Sequence, residues 1–202
     1  MVDEPTSTRA ARTRAQILEA ARQQLEEHGY HAVGLESVAA AAKVSRQSIY
    51  IHFRSKAELL LALVAHVDEH EGLPDLASAV DDAPSAVEAL HRFVDLVAQH
   101  TPRVYKTAAV LDSARRVSPD AQTAWTDRMT RRRLRCKRII TRLADEGRLA
   151  AGWSRRDATD LLYAMTSLRM WEDLVVHRGW SSTRFRRHLR RVLDQTLVAN
   201  SD

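Results

Sequence analysis

Helix-start chemistry recurs along this chain with a regularity that leaves little room for β-structure. Thr13-x-x-Gln16, Ser55-x-x-Glu58, Ser85-x-x-Glu88 and Ser154-x-x-Asp157 share one layout: a hydroxyl accepts from an orphan amide and the later side chain reaches back. Thr101-Pro102 and Ser118-Pro119 set a capping hydroxyl before a proline at the first helical position, where the missing N–H is harmless. Ser45 and Ser181 are further caps. Between these points apolar residues keep helical spacing: Ile17, Ala21, Leu25; Leu60, Val64, Val67; Leu90, Phe93, Val97; Phe185, Leu189, Val192. No stretch alternates with a period of two. The pattern predicts an all-α chain of nine helices, at 13–28, 35–42, 46–52, 56–70, 85–99, 102–115, 119–146, 155–178 and 182–198. The one long loop expected is 72–84.

Composition removes several classes. The 202 residues suffice for one large or two small domains without covalent staples. A single cysteine, Cys136, excludes an internal disulfide and a cysteine-built zinc site, and fits a reducing cytoplasm. The stretch 1–14 is polar and is not read as a signal peptide. No run approaches the ~20 apolar residues that cross a bilayer. Net charge is +5, but it is unevenly spread. Residues 57–114 carry 3 basic and 10 acidic side chains, and 115–156 carry 13 and 4. Net charge therefore does not locate a nucleic-acid surface.

Residues 35–53 do. Two short helices meet at a turn around Lys43-Val44-Ser45, with Val38, Ala39, Ala42, Val44, Ile49 and Phe53 as apolar positions. The alanines allow close approach, which is the layout of a helix-turn-helix. Its second helix would expose Arg46, Gln47, Ser48, Tyr50 and His52, donors without a carboxylate among them, as a polyanion requires.

At these residues the chain resembles the tetracycline-repressor (TetR) family of transcriptional regulators. The resemblance rests on Ile17-Leu18-x-Ala20-Ala21, Gly29-Tyr30, Val38-Ala39-x-x-Ala42-x-Val44-Ser45, Ile49-Tyr50-x-His52-Phe53 and Ser55-Lys56-x-x-Leu59, within about residues 13–62. It implies a three-helix DNA-binding domain over 1–56, a connecting helix at 56–70, and a helical ligand-binding and dimerisation domain over 71–202. It implies that Tyr50, His52 and Lys56 contact phosphates, while Arg46, Gln47 and Ser48 face base edges beside the capping Ser45. Three positions depart from the family pattern: Lys43 where glycine is usual, Gln47 where a small glycine is frequent, and Val33-Gly34 where hydroxyls are favoured. A non-glycine residue at 43 costs roughly 1 kcal/mol if the turn is left-handed.

By the same resemblance, 155–178 and 182–198 form a four-helix bundle with a second copy. The residues agree: Leu161, Met165 and Leu168 line one side of the first helix and Tyr163, Met170 and Leu174 another, so it needs burial on two sides. Two copies would read half-sites roughly 34–36 Å apart on a palindrome.

Three ionisable residues fall on core-facing stripes at 100° per residue: His100 with Leu90, Phe93 and Val97; Arg132 with Trp125, Met129 and Cys136; Glu172 with Leu161, Met165 and Leu168. Such groups need partners. Two readings stay open. One is structural: a satisfied ion pair, such as Arg132 with Glu172, or snorkelling side chains. The other is a pocket that these residues line with Tyr105, Trp125, Met129, Met165 and Trp171, taking a mostly apolar effector with one polar or acidic group. The basic run Arg131, Arg132, Arg133, Arg135, Lys137, Arg138 and Arg142 is read as a solvated helix face.

The expected function is a homodimeric repressor released from a palindromic operator when a small molecule bound within 85–178 shifts the 56–70 helix. The alternatives are a constitutive DNA-binding regulator without effector, or a helical metal-dependent enzyme using His66 and His70. The glycines form no dinucleotide fingerprint, phosphate loop or nucleophile elbow, so neither catalytic residues nor a cofactor are assigned. Val67 stands where a zinc protease needs its glutamate. The chain is expected to be cytoplasmic and without membrane contact.

Overall fold

A computed structural model describes residues 4–199; of the polar stretch 1–14, residues 1–3 lie outside it. Ten α-helices appear among the described residues: α1 (Glu4–His28), α2 (Leu35–Ala41), α3 (Arg46–His52), α4 (Lys56–His70), α5 (Leu73–Asp81), α6 (Ala86–Ala114), α7 (Pro119–Asp145), α8 (Arg155–Met165), α9 (Leu168–Trp171) and α10 (Ser182–Leu197). A 3-10 turn spans Tyr30–Ala32 and a π-helical turn spans Glu172–His177. Among the described residues the β-type pairing is one isolated antiparallel bridge, Leu149 with Val198. No helix among them is long and apolar enough to cross a membrane.

Most expected caps close helices. The Oγ atoms of Ser45, Ser55, Ser85, Ser154 and Ser181 accept from the backbone N–H three residues on, at 3.0–3.2 Å. Four expectations are corrected. First, α1 begins well before residue 13, with Pro5 in its first turn, so Thr13 sits mid-helix and its hydroxyl donates back to Arg9 O at 3.0 Å. Second, the supposed loop 72–84 contains α5: Gly72 turns left-handed (φ 77°) and Pro74 falls in the first turn. Third, α6 runs unbroken through Thr101-Pro102, so that pair is no boundary. Fourth, the span 155–178 is interrupted at Thr166-Ser167, where Ser167 caps α9 by accepting from Met170 N–H at 3.2 Å.

The chain folds into two compact units, residues through 70 with 106–128, and 71–105 with 129 onward. In the first, Ile17, Leu18, Ala21 and Leu25 of α1 are buried with Val38 and Ala39 of α2, Ile49 of α3, Phe53, and Leu59, Leu60 and Leu63 of α4. Side chains tie α1 to the next hairpin: Gln16 Nε2 donates to Ala42 O at 2.7 Å and Gln24 Nε2 to Ser37 O at 3.2 Å. From residues 106–128, Arg128 meets Asp68 at 2.7 Å, and Thr107 and Ser118 bond Glu26 and the Tyr30 hydroxyl.

The second unit is organised around Leu90, Phe93, Val94, Ile140, Leu143, Leu162, Phe185, Leu189, Leu193 and Leu197. On α10 the buried stripe runs Phe185, Leu189, Leu193, and the expected Val192 is 42% exposed. Here Glu146 accepts from Ala86 N–H at 2.8 Å, capping α6 from the end of α7, and that bond holds its carboxyl below the usual glutamate range.

Candidate functional site

The hairpin α2–α3 turns through Ala42 to Ser45. Lys43 N–H donates to Ala40 O at 3.1 Å and Val44 N–H to Ala39 O at 3.0 Å, a Schellman closure with its left-handed position at residue 43. Lys43 has φ 54°, alone among non-glycine described residues in that region. The lysine thus carries the backbone strain expected of it. Ser45 then caps α3, and Ile49 and Phe53 lock its inner face, each without accessible surface.

That anchoring dictates what α3 shows outward. Arg46 and Gln47 are exposed, Ser48 and His52 are half-buried, and Tyr50 is 48% exposed. Lys56, at the start of α4, is half-buried: its ammonium lies 3.7 Å from the Tyr30 ring centre and donates to Tyr30 O at 3.3 Å. Arg14 of α1 lies over the Phe53 ring at 5.0 Å.

Two residues absent from the sequence reading belong to this surface. Ile51 is 72% exposed. Its position two residues beyond Ile49, about 200° around a helix, is the signal that places it outward. Glu36, in the first turn of α2, forms an ion pair with Arg46. The donor face therefore includes one carboxylate, brought from the neighbouring helix.

In the second unit, the anticipated pairing of Arg132 with Glu172 does not occur. Arg132 donates to Thr166 O at 2.6 Å, Thr166 Oγ1 at 3.1 Å and Tyr163 O at 3.0 Å, with its guanidinium 3.9 Å from the Tyr163 ring centre. It serves the carbonyls left open where α8 ends. Glu172 instead accepts from the Tyr105 hydroxyl at 2.5 Å, and this bond pushes the Tyr105 pKa up to about 12. The Tyr105 and Trp171 rings lie 5.1 Å apart. His100 is buried, and Met129 and Met165 are half-buried. Trp125 belongs to the first unit, where Arg115 lies over its ring at 5.4 Å.

The His66 and His70 rings lie 4.0 Å apart, tilted by 44°, and His70 Nδ1 sits 3.2 Å from His66 O. Burial, and then the neighbouring His70, hold the His66 pKa below its ordinary value. Among the described residues no three histidine, cysteine, aspartate or glutamate side chains gather as metal ligands do. The basic run on α7 borders an open groove of about 680 Å³ around Leu134. Arg133 and Arg138 there face Asp160 and Asp81 at 2.7 and 3.7 Å.

Residues 17–63, which hold α2, α3 and their packing partners, match the family described as "Bacterial regulatory proteins, tetR family". Over these residues the chain is similar to tetR-family regulators. It is 36% identical over 88 residues to the HTH-type transcriptional activator FasR of Mycolicibacterium smegmatis, across 41% of this chain and 40% of that protein. It is 38% identical over 78 residues to the HTH-type transcriptional regulator TtgR of Pseudomonas putida, across 38% and 37%. The match thus spans about two fifths of these relatives' lengths. The fold is also that of a transcriptional regulator from Saccharomonospora viridis crystallised with choline: TM-score 0.74, 20% identity, 94% of this chain and all of that one. Within a tetR-family turn, Lys43 is the residue whose left-handed backbone would suit glycine best.

Proposed function

We propose that this chain is a homodimeric, sequence-specific DNA-binding repressor of the tetR family that a mostly apolar small molecule releases from a palindromic operator. The observation that carries the reading is the outward face of α3: the donors Arg46, Gln47, Ser48, Tyr50 and His52 and the exposed Ile51, on a helix that Ile49 and the following Phe53 anchor in the core. In this reading Arg46 and Gln47 pair with guanine and adenine edges, and Ile51 meets a thymine methyl. Tyr50, His52 and Lys56 hold phosphates, which sets register without reading sequence. The N-terminal end of α4 favours an anion beside Lys56.

A second copy fits the helices 155–178 and 182–198. Leu161, Met165, Leu168, Leu174 and Val175 remain half-buried in one chain, and Val176 and Val192 are 46% and 42% exposed. A two-fold contact would cover them and duplicate the reading helix. Residues 1–56 act as reader, 56–70 as connection and 71–202 as the regulatory and dimerisation part, in a cytoplasmic protein without cofactor or catalysis. The regulator found with choline supports an effector site in this fold. The effector must bind the DNA-free arrangement more tightly, and DNA then weakens effector binding by the same factor.

Selecting bound duplexes from a random pool tests the reading. The expected product is a two-fold-symmetric sequence whose affinity falls steeply with salt. Failure to retain any duplex at low ionic strength would sink it.

A further inference from the structure

Glu172 is a half-buried carboxylate whose partner is a neutral hydroxyl. The Tyr105 O–H donates to it at 2.5 Å, and among the described residues no lysine, arginine or histidine nitrogen lies within salt-bridge reach. The cation that the helical spacing had offered it, Arg132, is spent on Thr166 and Tyr163. A carboxylate withdrawn from water calls for a positive charge or for further donors.

Its surroundings suit a positive charge of one kind. The Tyr105 and Trp171 rings stand 5.1 Å apart beside it, and half-buried Met165 and Met170 belong to the same apolar cluster. Aromatic faces next to a carboxylate attract a weakly hydrated cation, because the ring quadrupole and the full charge act in the same direction. A second observation is independent of the charge. The indole N–H of Trp171 is buried without a hydrogen-bond partner, while the residue as a whole is 4% exposed. A third concerns the backbone: Glu172 opens the π-helical turn, a rare form that is frequent at functional sites.

We infer that Glu172, Tyr105 and Trp171 form a subsite for an organic ammonium ion, so that the effector is a lipophilic cation. The carboxylate and the two rings would receive the ammonium, and an oxygen elsewhere on the molecule would accept from the Trp171 N–H. The inference rests on the proposed effector role of this half and sharpens its chemistry: charge of the sign opposite to the acidic group expected from sequence.

Three probes of similar size separate the outcomes: benzyltrimethylammonium, its neutral carbon isostere 2,2-dimethylpropylbenzene, and the anion 3-phenylpropanoate. Titration calorimetry on the full chain should show the cation binding at least tenfold tighter than either other probe. Glu172→Gln should abolish that preference, and Glu172→Asp, which keeps the charge, should retain it. The thermal midpoint of each variant checks that it is folded. Equal binding of cation and isostere, or an unchanged preference in Glu172→Gln, overturns the inference. Tighter binding of the neutral or anionic probe with release of DNA overturns it while leaving the effector role standing. No binding of any probe also overturns the inference.

Discussion

Glu36, one residue into α2, holds the guanidinium of Arg46, the first residue of α3, and both side chains are more than half exposed. An exposed ion pair adds little stability. In the proposed DNA complex the acid would compete with every phosphate for Arg46 and leave that arginine to a guanine able to satisfy it fully. Glu36→Ala should therefore change folding stability by less than about 0.5 kcal/mol. It should tighten binding to random duplex several-fold at low salt, narrowing the gap to the selected operator. Fluorescence anisotropy on both duplexes reads this; an unaltered ratio would count against a filtering role.

Lys43 should be replaceable with profit. At φ 54° the lysine side chain costs about 1 kcal/mol that glycine avoids, less what glycine loses through a freer unfolded chain. Lys43→Gly is expected to gain about 0.5 kcal/mol, seen as a higher urea midpoint at constant slope, and Lys43→Val to lose stability.

Arg132 makes three hydrogen bonds to the end of α8. Arg132→Met keeps much of the stem's packing but leaves the Tyr163 and Thr166 carbonyls without their charged donor. The expected loss is about 2–3 kcal/mol in chemical denaturation. A loss below about 0.5 kcal/mol would mean that water replaces the guanidinium.

How far the sequence was legible follows from the range of each interaction. Ser45, Ser55, Ser85, Ser154 and Ser181 were readable because a cap bonds three residues away. The inward set Val38, Ala39, Ile49 and Phe53 was readable because helical period alone sorts faces. The break at Thr166 was not, since the donor that makes it tolerable comes from Arg132, 34 residues earlier. A longer range separates Glu172 from its partner: a shared wheel position suggests Arg132, whereas Tyr105, 67 residues before, holds the carboxylate. Gly72 and Pro74 carry the composition of a loop although together they start α5. The carboxylate beside Arg46 is not legible from α3 alone, because Glu36 reaches it from the neighbouring helix.

His66 should make stability depend on pH. Its folded-state pKa lies below the ordinary 6.5, so the unfolded chain binds the proton more readily. Stability is then full above about pH 7 and declines as pH falls through 6.5 toward the lowered value, by at most about 1.4 kcal/mol per unit for one proton. Glu19, Glu69, Arg22 and His70 are the charged neighbours that set this balance. Denaturation midpoints between pH 5.5 and 8 should flatten in His66→Gln; a retained slope would assign it elsewhere.

Cys136 has no accessible surface, and burial pushes its thiol up to about 11. The native protein should resist dithionitrobenzoate at pH 8 and react at once in denaturant. Fast native labelling would show that the second unit opens around α7.

The interruption between α8 and α9 leaves two short rods where one long one was expected, each with its own serine cap. Neither rod borrows backbone hydrogen bonds from the other across Thr166-Ser167 except at the closing turn itself. Extra residues inserted between them would consequently disturb only a joint, whereas the same insertion inside α8 would rotate every side chain beyond it.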